Sequence, residues 1–103
     1  MLNAKAEITF TVEGRKYSGA KYPLRPTFRF GEGLLFSGNI KSNNNEYLYN
    51  KKYLVDVEFF TIEDEGYLAI KPFLNEGVDL VMQEGSQIIG LAKLNSFTYR
   101  GKQ

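Results

Sequence analysis

The chain has no cysteine, no histidine and no tryptophan. Without cysteine it can form no disulfide, no thiolate metal site and no thiol nucleophile. Without histidine, Ser-His-Asp and Cys-His chemistry are excluded, and so is imidazole metal ligation. A metal would need oxygen ligands alone, and the acids do not fall at the spacing of a calcium-binding loop. No run approaches the ~18 apolar residues that a membrane-crossing helix needs. The opening MLNAKAEITF carries a lysine inside its apolar run, unlike a signal peptide. No G-x-x-x-x-G-K-[ST] phosphate loop is present. These absences argue against an enzyme, a cofactor, a bound nucleotide and a membrane partner, and they favour a cytoplasmic protein. Charge of one sign is lacking too: 13 basic residues stand against 12 acidic ones, short of the strongly basic balance of a nucleic-acid-binding domain.

What is present is enough to fold. A chain of 103 residues is the size of one domain, and a domain of this size buries roughly 60–70% of the surface that its unfolded chain exposes. We take residues 1–103 as one unit, with 100–103 as a free tail. Alternation of apolar and polar residues runs through almost all of it. Ala6, Ile8, Phe10 and Val12 share one face of a first strand, closed by Gly14. Leu24, Pro26, Phe28 and Phe30 share one face of a second, which proline confines to an edge or a strand start. LLFSGNI follows the GEG turn as a third, and the asparagine run at 43–45 reads as a hairpin tip. KYLVDVEFFTI alternates strongly, EDEG reads as a turn, and YLAIKPFL reads as a strand with Leu68 and Ile70 on one face. VDLVMQ aligns Val78, Leu80 and Met82, and EGS turns the chain into QIIGLAKLNSFTY. Gly90 inside that last strand marks a bulge or a close backbone approach. About seven short strands, with turns every ~8–15 residues, specify an all-β sandwich or barrel.

Four collinear pieces resemble a known family. EGSQIIGLAKL looks like the last hairpin of the third domain of elongation factor Tu, whose pattern is R-E-G-x-R-T-[VI]-G-x-G-x-[VI]. AEITF resembles that domain's opening strand, YPLRPTFRF its G-Y-R-P-x-F strand and FSGNI its V-T-G-x-I strand; YLVDVEFF falls where the family has a further alternating strand. The resemblance spans Ala6 to about Phe97. It implies a small, closed, antiparallel β-barrel of six to seven strands, here without the family's GTPase domain. It also implies a last hairpin close to surfaces used for tRNA and for that domain. Gln83 and Gln87 stand where the family has arginines, which weakens inherited tRNA binding, whereas Arg25 and Pro26 keep its R-P pair.

Three groups of residues are candidates for contact. Arg15, Lys16, Lys21, Arg25 and Arg29 lie among Tyr17, Tyr22, Phe28 and Phe30. They either neutralise phosphates while the tyrosines stack on bases, or point to water from an ordinary strand and loop. Glu63, Asp64 and Glu65 form either a negative patch for a basic partner, a carboxylate pair for hydrolysis, or a solvated turn. Tyr47, Tyr49 and Tyr53 form a contact surface or pack across strands outside the barrel. The expected function is a non-catalytic binding module for a protein or RNA partner, possible in a translation setting. The alternatives are an immunity-type protein that neutralises a toxin and a small enzyme using carboxylates and tyrosine.

Overall fold

The structure, a computed structural model, describes residues 1–11, 25–31, 33–41, 47–48 and 50–101. Among these, the alternating segments become β1 (Leu2–Phe10), β2 (Thr27–Phe30), β3 (Leu34–Ser37), β4 (Asn39–Lys41), β5 (Lys52–Phe59), β6 (Asp79–Glu84) and β7 (Gln87–Tyr99). They form one antiparallel sheet in the order β3-β2-β6-β7-β1-β5-β4. The sheet curls into a half-barrel. Its concave face holds the core, because the apolar member of each alternating pair turns inward. Leu2, Ala4, Ala6, Ile8 and Phe10 are buried from β1, and Tyr53, Val55, Val57 and Phe59 from β5. Phe28 and Phe30 both meet Phe59 edge to face, at centroid distances of 5.0 and 5.5 Å. That geometry suits the ring quadrupole better than a face-to-face stack.

The barrel is open, not closed as the family resemblance implies. β3 and β4 are halves of one chain segment that changes sides at Gly38. Among the described residues, β3 pairs only with β2, and β4 pairs only with β5. Each therefore keeps one edge that no described residue pairs with. A β-carbon at residue 38 would lie 2.5 Å from the Phe28 ring and 2.7 Å from Val57 Cγ1, so the crossing needs glycine for space. Gly90 is the other close approach, where a β-carbon would lie 2.4 Å from the Thr9 carbonyl oxygen. The register shift beside it, between Met82 and Gln83, is the irregularity that an isolated strand glycine signals.

The expected strand YLAIKPFL is a second correction. Asp64–Ile70 forms helix α1, and Lys71–Phe73 continues as a 3₁₀ turn. Half-burial at Gly66 and Tyr67 and full burial at Ile70, with exposure at Glu65, Leu68 and Ala69, follow a helical rather than a two-residue period. Leu68 and Ile70 thus point apart. Ile62, Ile70 and Leu74 are buried in the core cluster, and Tyr67 stacks on Tyr99 of β7 with centroids 3.9 Å apart. Beyond β7, Arg100 exchanges two backbone hydrogen bonds with Met1, at 2.7 and 3.0 Å.

Candidate protein-contact surface

Cross-strand register orders the solvent face of the sheet into rows, because directly opposed residues point the same way. One row runs Leu35–Arg29–Val81–Leu91–Thr9 across β3, β2, β6, β7 and β1. The next runs Ser37–Thr27–Gln83–Ile88. Leu35, Ile88 and Leu91 are 46, 50 and 45% exposed, and Val81 is half-buried between Arg29 and Leu91. Three of the four leave large apolar side chains in water on a face where alternation predicts polar ones. Towards the other end the rows are charged: Asp79–Lys93–Glu7–Leu54, then Ser96–Lys5–Asp56–Lys41, with opposite charges adjacent.

Arg29 and Gln83 stiffen the apolar end. Arg29 Nη2 donates to Gln83 Oε1 at 2.8 Å, and Gln83 Nε2 donates to the Gly85 carbonyl at 2.9 Å. Gln83 is buried while Arg29 is exposed. The amide links β2 to the turn between β6 and β7. The predicted contact residues divide accordingly. Arg29, Gln83 and, at the hairpin, exposed Gln87 belong to this surface; Arg25 is exposed at the entry to β2. Arg15, Lys16 and Lys21 lie outside the described residues.

Glu63, Asp64 and Glu65 are exposed, and they begin a helix rather than form a turn, with Glu63 as its cap. Tyr99 Oη donates to Asp64 Oδ1. Partial burial, then that carboxylate, pushes the Tyr99 phenol up to about 12. Tyr47 and Tyr53 are not a contact surface. Both are buried, and they meet edge to face at 5.0 Å inside the core. Tyr49 lies outside the described residues.

A cleft of about 350 Å³ lies at the charged end, lined by Asn3, Lys5, Lys41, Asp56, Glu58 and Ser96 among others. Glu58 Oε1 sits 2.9 Å from Lys41 Nζ, an ion pair outside hydrogen-bond geometry, and Asn39 Oδ1 is buried with no hydrogen-bond partner among the described residues. The cations and anions there neutralise one another, so the cleft has no net sign to offer a ligand.

The apolar row was missed in the sequence, yet a signal was there. Adjacent apolar residues inside a strand, as in Leu34-Leu35, Leu80-Val81 and Ile88-Ile89, must place one member on each face. Among the described residues no helix is long and apolar enough to cross a membrane. Fold and surface together define an open antiparallel half-barrel with an apolar strip on its solvent face. No protein-family model and no curated protein matches the chain.

Proposed function

We propose that this chain is a non-catalytic binding module that contacts a protein through the solvent face of β3, β2, β6 and β7. The observation that carries this reading is the row of Leu35, Arg29, Val81 and Leu91 with Ile88 beside it. Exposed, contiguous apolar side chains around an arginine are the usual composition of a protein interface. Arg29 is held in place by Gln83, which lowers the entropy lost when a partner orders it. The resemblance to the translation-factor barrel rests on the four sequence pieces alone; the open seam and α1 depart from what it implies.

The test is capture from cells of native origin with tagged wild-type protein, compared with Leu91→Glu and Ile88→Glu. Loss of a captured protein in both variants, and its retention when Glu63, Asp64 and Glu65 are all changed to glutamine, is the expected pattern. The reverse pattern moves the contact to the acidic end of α1, as a toxin neutraliser would require. Retention of tRNA or single-stranded RNA at ~50 mM salt, with a salt slope flattened by about one unit in Arg25→Ala, replaces the protein partner with RNA.

A further inference from the structure

We propose that the unpaired edge of β3 binds an extended segment of a partner protein, which joins the sheet as an additional strand; this rests on the protein-contact reading above. The hydrogen-bond phase of β3 identifies the groups involved. The Gly38 N–H donates to the Pro26 carbonyl at 3.0 Å, and the register pairs Ser37 with Thr27, Phe36 with Phe28 and Leu35 with Arg29. Hydrogen-bonded and non-hydrogen-bonded pairs alternate along an antiparallel ladder. Gly38, Phe36 and Leu34 therefore bond towards β2. The N–H and C=O groups of Leu35 and Ser37 point the other way, and no described residue pairs with β3 on that side.

The two sheet edges that no described residue pairs with are not equivalent. β4 has three residues and carries Lys41, a charge of the kind that discourages edge pairing. β3 reads Leu-Leu-Phe-Ser, with no charge and no proline. A strand added there places one side chain opposite Leu35, extending the apolar row by a residue, and places the next beside half-buried Leu34 and Phe36. Backbone bonding supplies the attachment and alternate side chains supply the selectivity. The core of the incoming segment is accordingly apolar and β-branched or aromatic. Its flanks are acidic, because residues 25–37, which contain β2 and β3, hold Arg25 and Arg29 against Glu32 alone. A second copy of the chain is a poorer occupant. Four edge residues and the apolar row beside them fall well short of the roughly 20–30 residues a side that a standard interface engages.

The test is selection of random heptapeptides displayed on phage against the full chain, followed by work with the most enriched peptide. The expected peptide has an apolar core with acidic flanks, and it slows exchange of the Leu35 and Ser37 amides. Leu35→Pro, which removes an N–H that β2 does not use, weakens it by roughly tenfold or more, while Leu35→Ala weakens it less. If Leu91→Glu abolishes binding but Leu35→Pro and the two amides are indifferent, the apolar row stands and strand addition is overturned. If neither variant matters, or no peptide is enriched, both readings fall. A doubled mass in solution that Leu35→Pro returns to monomer would replace the peptide with a second copy.

Discussion

A β-carbon at residue 38 would collide with core atoms from two strands, Phe28 on β2 and Val57 on β5. Substitution by alanine forces those side chains from their rotamers, and overpacking of this kind costs about 1–3 kcal/mol. Gly38→Ala is expected to lower the urea midpoint at an unchanged slope, and Gly38→Ala combined with Phe28→Leu to recover part of the loss. Tyr99 makes a different prediction. Its phenol is raised to about 12 in the folded chain, against roughly 10 when unfolded, so folding favours the protonated form. The stability linked to Tyr99 is complete below pH 10 and is lost as pH rises towards 12. Thermal melts across that window should fall more steeply for wild type than for Tyr99→Phe; parallel curves would remove the linkage. Neither the contact at Gly38 nor the pairing of Tyr99 with Asp64 is legible in the sequence, because both join residues far apart along it.

Helix α1 shows where element-level reading succeeds and where it stops. The buried faces of β1, β5 and β6 follow directly from alternation, since a strand's side-chain period is local. Around Leu68, the same rule misassigns the segment. YLAI fits both periods over so few residues, and only docking of Ile70 and Tyr67 against the sheet decides between them. The two outcomes separate by mutation. Ile70→Ala is expected to cost about 2–5 kcal/mol by leaving a cavity, and Leu68→Ala, at 66% exposure, to stay within about 0.5 kcal/mol. Equal losses in chemical denaturation would restore the strand. Among the described residues the count of seven strands agrees with expectation for a compensating reason: α1 removes one, and the crossing at Gly38 divides another into β3 and β4.

For the whole molecule, topology sets the folding speed. β1 lies between β5 and β7, so that Ile8 faces both Tyr53 and Ala92. Its ladders cannot form until long loops have closed, and sheets of this kind fold in milliseconds to seconds. Stopped-flow refolding is expected in that range, with microsecond relaxation pointing to a core built from local contacts instead. The sequence by itself determined that this is a β protein without thiol or imidazole chemistry, and it determined most of the inward-facing residues. Composition and a two-residue period need no knowledge of distant neighbours. The tertiary structure alone decided that the barrel stays open, that Arg29 meets Gln83, and that Leu35, Val81 and Leu91 fall in line. Each of these depends on which strands lie side by side, and that choice is made between residues tens of positions apart, by the packing of the whole core.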